Sequence, residues 1–473
     1  MKILGYCCIL ILFLCSFTQS EKRLPYKDPT LPVEERVKDL LNRMTVEEKF
    51  WQIYMMPGDL DLGKEKFSHG IFGFQVSTVG ADNPELKQLL QYNPTLTARE
   101  TVKKINEIQR FFVEKTRLGI PIIAFDEALH GLVRGGATAF PQAIALAASF
   151  DTTLMKKVSH AIAMETKTRG IRQILSPVVN LATDVRWGRV EETYGEDPYL
   201  SACMGVNFVK SFEELGVITT PKHFVANSGD GGRDSNPIHF TERYLEETHF
   251  VPFKACFMEG GSQSVMTAYN MLDGTPCTAN PWLLIDKLRG EWGFDGFVVT
   301  DWGGCNSQTA GIKAGSNLEM PGTIGDSDRE LMASLKAGKI TEGEIDLRVD
   351  QLLDVILATH EATAGGKRNF DQEAHHAVAR QAAAQTAVLL KNEGDLLPLA
   401  PNARVAVIGD MALEPRYQGA GSSLVNPTKL DKPLDCLKES GLDVVGHAQG
   451  YLRNGKEDAG LQQAAVQLAG QAD

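Results

Sequence analysis

The stretch GFVVTDWGG, residues 296–304, decides how the chain is read. Phe297, Val298, Val299 and Thr300 form a short β-branched run suited to a buried strand. The run ends on a carboxylate, Asp301, and an indole, Trp302. Desolvating an acid at the tip of an apolar strand is costly, so such an acid needs a partner or a chemical role. Local sequence leaves three readings of Asp301 open: a cap on the next helix, a buried partner for an arginine, or a reactive group. Trp302 alone is compatible with ordinary core packing.

The same theme recurs on both sides of this stretch. Apolar runs at 71–74, 121–125, 173–175, 217–220 and 264–267, and a weaker one at 316–320, each meet a polar or glycine-rich corner. Helix-like segments such as 151–169 and 245–258 lie between them. Short strands alternating with helices predict a parallel sheet. About seven or eight such units over roughly 300 residues fit a closed (β/α)8 barrel, with an open doubly wound sheet as the alternative.

With 473 residues the chain is too long for one ordinary domain. An alanine-rich helical stretch at 371–392 ends in LLKNEGDLLPL, and RVAVIGD at 404–410 opens a fresh strand. The expected organisation is a signal peptide at 1–20, a barrel at 21–365, a linker at 366–400 and a second α/β unit at 401–473. That second unit opens with a strand and stops soon after an amphipathic helix. The expectation is a truncated form of a longer protein, the alternative being a small appendage.

Lys2 followed by the apolar run 3–17, with a cut after Ser20, has the layout of a secretory signal. Export to the periplasm or medium is expected, with no membrane span in the mature form. A retained anchor is the alternative, and bulky Leu14 before Cys15 argues against lipidation. A net charge of −12 disfavours nucleic acid. Three of the 8 cysteines lie in the signal. The other five are an odd, sparse set without a CxxC spacing, read as small buried apolar residues.

Polar residues gather just past the apolar runs. Asp126, Glu127 and His130 follow one, Lys222 and His223 another, Tyr269 and Asn270 a third, and Asp301 and Trp302 a fourth. In a barrel these positions share the C-terminal rim, where barrel enzymes place their chemistry. A carboxylate with hydroxyl-binding Lys, His, Arg and Tyr, and indoles nearby, suits a sugar. One acid below the anomeric carbon and a second about 5 to 5.5 Å away is the layout of a retaining glycosidase.

Other chemistries find less support. There is no HExxH, and His375-His376 lacks a nearby carboxylate array and reads as solvated helix surface. GDGGRD at 229–234 lacks the ending of a phosphate loop. VAVIGD lacks GxGxxG, and no GxSxG elbow occurs. Neither a metal nor a cofactor is expected.

Taken in order, FDEALHG (125–131), FPQAIALAASF (140–150), RWGRVEETYGEDPYL (186–200), KHFVAN (222–227), GGRDSN (231–236), SVMTAYN (264–270), GFVVTDW (296–302), NLEMPG (317–322) and VLLKNEGDLLPL (388–399) make the chain resemble glycoside hydrolase family three, β-glucosidase type. The resemblance covers essentially everything after the signal. It implies a barrel followed by an α/β sandwich domain, of which 401–473 is the N-terminal part, and a retaining exo-glycosidase acting on β-linked oligosaccharides or aryl glycosides. Asp301 matches the nucleophile. Lys222 and His223 match the pair holding hydroxyls of the terminal sugar, and Arg189, Arg233 and Tyr269 match further contacts, with Trp302 beside them. GEDPY reads as a helix-entry device.

Glu127 stands where glucosidases of that family often carry an aspartate. A glutamate there also occurs in the xylosidase-like branch, so β-xylosides are the alternative substrates. KHFVANSGDGG departs from the KHFPGHG of the single-domain hexosaminidase branch. The general acid/base of two-domain members is a second-domain glutamate expected beyond Asp473, and Glu414 comes too early. That motivates a third reading, a catalytically impaired sugar-binding remnant.

Overall fold

The computed structural model describes residues 24–76, 97–229, 237–323, 325–362 and 369–473, and a short strand pair at 78–80 and 90–92. The expected signal peptide at 1–20 and Arg233 lie outside the described residues.

Helix starts follow capping chemistry. Thr45 and Glu48 form a capping box at Val46–Gln52, and Thr97 and Glu100 form one at Ala98–Lys115. Asp151 caps Thr152–Thr168. Asp197, with Pro198 in the first turn, caps Pro198–Glu213, so GEDPY is the helix entry its sequence predicts.

Between these helices the short apolar runs pair side by side. Met55–Pro57 runs parallel to Gly73–Gln75, then come Ile123–Asp126 and Gln173–Ile174. Parallel bridges carry the ring on, from Gln173 to Ile218, from Val178 to Lys222 and from Phe224 to Thr267. Ser264–Met266 pairs with Phe297–Val299, Val299 bridges Leu318, and Glu319 bridges back to Tyr54. The parallel sheet therefore closes into a barrel, and the open doubly wound alternative is set aside. Its core is apolar, with Phe72 and Phe297 in contact across it at 5.3 Å between ring centroids.

Two details differ from the sequence reading. The first barrel strand, Met55–Pro57, is absent from the predicted runs. It follows the helix Val46–Gln52 after two residues, and Trp51 to Met56 lacks the β-branched signature of its neighbours. The run 217–220 bridges its neighbour only at Ile218. Thr220 N donates to Ser176 O at 2.8 Å and Lys222 N to Pro177 O at 2.9 Å, on either side of Pro221, which has no N–H to give.

Beyond the barrel, the helix Gln372–Gln385 packs on the barrel helix Thr152–Thr168. This corrects the reading of His375-His376 as solvated surface. His375 Nδ1 lies 2.8 Å from the buried Glu165 carboxylate, and His376 lies 3.7 Å from Asp431. The partner acids are over fifty residues away in sequence, so no local pattern shows them. The second unit contains the parallel strands Arg404–Ile408 and Asp443–Ala448, with helices Pro433–Glu439 and Ala459–Ala469. Its C-terminal helix packs on the second of those strands.

The five described cysteines are free thiols. Cys256 and Cys277 are buried as expected, but Cys203 and Cys305 are half-buried and Cys436 is exposed, which corrects the uniform reading. No helix among the described residues is long and apolar enough to cross a membrane.

Candidate active site

The strand Ile123–Asp126 delivers two acids to the barrel rim. Asp126 is fully buried, accepts from Gln75 Nε2 at 3.0 Å and pairs with Arg134. It thereby ties two neighbouring strands together beneath the rim. Glu127, one residue on, turns to a different partner: Lys222 Nζ donates to its Oε2 at 2.8 Å, with both side chains about 2% exposed.

His223 follows Lys222 directly and serves the next acid. Its Nε2 stands 3.5 Å from Asp301 Oδ2. The imidazole is oriented by Asn180, whose Oδ1 lies 3.0 Å from His223 Nδ1 and accepts from the His223 backbone N–H at 2.8 Å. Asn180 Nδ2 donates back to the His223 carbonyl at 2.9 Å.

Asp301 is not a helix cap, because the following helix, Gln308–Ala314, is capped by Ser307. Its Oδ1 accepts from the Trp302 backbone N–H at 2.8 Å. Tyr269 Oη donates to the Trp302 carbonyl at 2.6 Å, and the indole sits 6.4 Å from the Phe125 ring. The turn beyond needs glycine at Gly303, where φ is +70°. Arg189 lies on the loop after the fourth strand. Its Nε and Nη2 fork onto Glu192 at 3.0 and 2.7 Å.

The electrostatics couple these groups. Burial pushes the Glu127 carboxyl up to about 7; Lys222 pulls it back, while Asp301 and Glu192 push it further up. Burial opposes the charge on Arg189, but Glu192, Asp301 and Glu127 together raise its pKa and keep it protonated. Three acids and three basic groups thus share one rim, and the carboxylate at the strand tip has a hydrogen bond from its own turn and an imidazole beside it.

The structure brings Glu127, Arg189, Lys222, His223, Tyr269, Asp301 and Trp302 to this rim. Reasoning from sequence missed Asn180 and Glu192. Asn180 ends the run VVN and fits the rule of polar residues past strands, but a lone asparagine does not stand out.

Residues 77–355 match the model of the glycosyl hydrolase family 3 N terminal domain, and 387–473 that of its C-terminal domain. The chain belongs to glycosyl hydrolase family 3. Among curated proteins it is similar to thermostable beta-glucosidase B of Acetivibrio thermocellus, 37% identical over 375 residues, covering 76% of this chain and 49% of the relative. It is also similar to an exo-alpha-(1->6)-L-arabinopyranosidase of Bifidobacterium longum, 35% identical over 379 residues, covering 75% of this chain and 50% of the relative. A solved Bifidobacterium adolescentis family 3 beta-glucosidase superposes with a TM-score of 0.71 at 34% identity, covering 80% of this chain and 56% of that one. This family 3 chain spans about half the length of the curated relatives it matches.

Proposed function

We propose that the protein hydrolyses terminal β-D-glucosides with retention, and that Asp301 is its nucleophile. The observation that carries this is the setting of Asp301: a carboxylate only 5% exposed at a barrel-strand tip, with one oxygen fixed by the Trp302 N–H and His223 beside the other. An Asp301 oxygen attacks the anomeric carbon while the bond to the aglycone oxygen breaks, its electron pair leaving with that oxygen. Water then attacks the same carbon and gives its proton to solvent, which returns one to a basic aglycone oxygen, and the Asp301 carboxylate and the sugar are freed.

In this reading Lys222, His223, Arg189, Arg233 and Tyr269 hold sugar hydroxyls, Glu127 accepts from two of them, and Trp302 offers its ring beside the sugar. The substrates are β-linked oligosaccharides or aryl glycosides. We place the segment 1–20 as an export signal, giving a periplasmic or secreted product, and the division at 366–400 as the linker between the two units.

A dinitrophenyl leaving group departs with little need of protonation, so dinitrophenyl β-D-glucoside tests the nucleophile directly. The chain is expected to hydrolyse it, and Asp301→Ala to lower the rate by at least about a thousandfold. Substantial hydrolysis by the variant would sink the assignment.

Glu127 favours a second reading, hydrolysis of pentopyranosides such as β-xylosides. A carboxylate longer by one methylene fills more of the pocket, and the Bifidobacterium longum relative is named for a pentopyranoside. Rates on dinitrophenyl glucoside and xyloside, measured side by side, separate the two. Glucose binding without hydrolysis of either would instead favour a sugar-binding remnant.

A further inference from the structure

One segment of the second unit is built into the barrel rim. Asn426 and Pro427 pair in parallel with Gly135 and Ala137, and Asn426 Nδ2 donates to Val133 O at 2.6 Å. Val425 is buried within the barrel's apolar core. Ser423, fully buried, accepts through its backbone carbonyl from the His130 ring, whose Nε2 is 2.9 Å away. His130 lies three residues beyond Glu127. On the opposite loop, Arg189 Nη2 donates to Ser422 Oγ at 3.2 Å. Gly419 lies against the Glu191 side chain, where an added Cβ would meet Oε1 at 2.3 Å.

The donors of Arg189 explain what Ser422 does. A guanidinium offers five N–H groups in a fixed plane. Glu192 takes Nε and one hydrogen of Nη2, and Ser422 takes a second bond from Nη2. Nη1 has no partner among the described residues. With one edge and the shared nitrogen anchored, the plane is fixed, and Nη1 is the end left to meet a ligand. Without Ser422, the Glu192 fork still holds the charge, but the plane can rock about it.

We propose that Ser422, from the second unit, is a positioning residue: by fixing the Arg189 guanidinium it holds Nη1 ready for a sugar hydroxyl. The proposal rests on the reading of this rim as a glycosidase site. Arg189 binds sugar in ground and transition states alike, so the loss should fall on KM more than on kcat.

The test is steady-state hydrolysis of dinitrophenyl β-D-glucoside by the full chain. Ser422→Ala is expected to raise KM roughly fivefold, the scale of one hydrogen bond to a charged group spread over a partly retained geometry. It should leave kcat within about twofold and the melting temperature unchanged. Ser422→Thr, which keeps the hydroxyl, should restore KM. In an Arg189→Ala background, Ser422→Ala should add nothing further. Unaltered KM in Ser422→Ala overturns the proposal. So does an equal fall in kcat and kcat/KM with a lower melting temperature, and so does an undiminished effect without Arg189. If the unaltered chain does not turn over the glucoside, the glycosidase reading fails and this proposal falls with it. If it does, an unaffected Ser422→Ala overturns this proposal alone.

Discussion

Lys222 Nζ and Glu127 Oε2 meet at 2.8 Å with both side chains almost wholly removed from solvent. A buried ion pair of this kind is costly to break from one side, because the remaining charge keeps its desolvation penalty. Lys222→Met removes the charge that pulls the Glu127 carboxyl down, so in the variant that carboxyl should stay protonated above pH 7. The variant is expected to be less stable, and the loss should be about 1 kcal/mol larger at pH 8 than at pH 5.5, where Glu127 is protonated in both proteins. Urea unfolding at the two pH values checks this, and adding Glu127→Leu should recover most of the loss at pH 8.

If Glu127 accepts from sugar hydroxyls as proposed, the same carboxyl should set a pH dependence of binding. A sugar donating hydroxyl hydrogens prefers the ionised acid, so binding draws Glu127 away from its proton. Glucose affinity should therefore rise as the pH passes upward through about 7, with proton release. Calorimetry in two buffers of different ionisation heat measures that proton. Glu127→Gln should make affinity independent of pH across this range, and a slope that survives the substitution would assign the effect elsewhere.

Glu319, on the closing barrel segment, gives a stability test at a second buried acid. Ser327 Oγ donates to its Oε1 at 2.8 Å, while Oε2 has no hydrogen-bond partner among the described residues. Burial pushes its carboxyl from 4.5 up to about 7; Ser327 pulls down, and Glu330 and Asp328 push further up. The folded state thus holds a proton that the unfolded state gives up earlier. Its contribution is fully present below pH 4.5 and is lost as pH rises through about 7. Glu319→Gln should be more stable than the unaltered protein at pH 8, by on the order of 2–3 kcal/mol, with the difference fading toward pH 5. Equal unfolding midpoints at pH 8 would contradict this.

Asn180 holds His223 by its backbone N–H, its carbonyl and its ring. Asn180→Ala removes all three bonds from a buried site, and a loss of about 2–4 kcal/mol in stability is expected. Asn180→Asp keeps the acceptor and loses the donor, so it should fall between. Thermal unfolding gives the order, and the hydrolysis rate of the dinitrophenyl glucoside should follow it as His223 loses its orientation beside Asp301.

Much of this arrangement was legible because it is local. Strand tips announce themselves as apolar runs meeting a polar corner, so Glu127, Lys222, His223, Tyr269, Asp301 and Trp302 could be named from sequence. The barrel strand Met55–Pro57 could not, because its side chains carry no β-branched pattern and a helix ends just before it. Contacts between distant segments were invisible for a different reason. His375 meets Glu165 from 210 residues away, and Ser422 meets Arg189 from 233. Nothing in either local stretch records the other, and only the packed chain supplies the pairing.

If Asp301 attacks an anomeric carbon as proposed, it carries the glycosyl group between the two steps. The most direct test is the intact mass of the protein after incubation with dinitrophenyl 2-deoxy-2-fluoro-β-D-glucoside, followed by peptide mapping. A gain of one fluoroglucosyl group on the peptide containing Asp301, absent in Asp301→Ala, is expected. A glycosyl group found on any other residue, or an unaltered mass under conditions where the parent glucoside is hydrolysed, would contradict it.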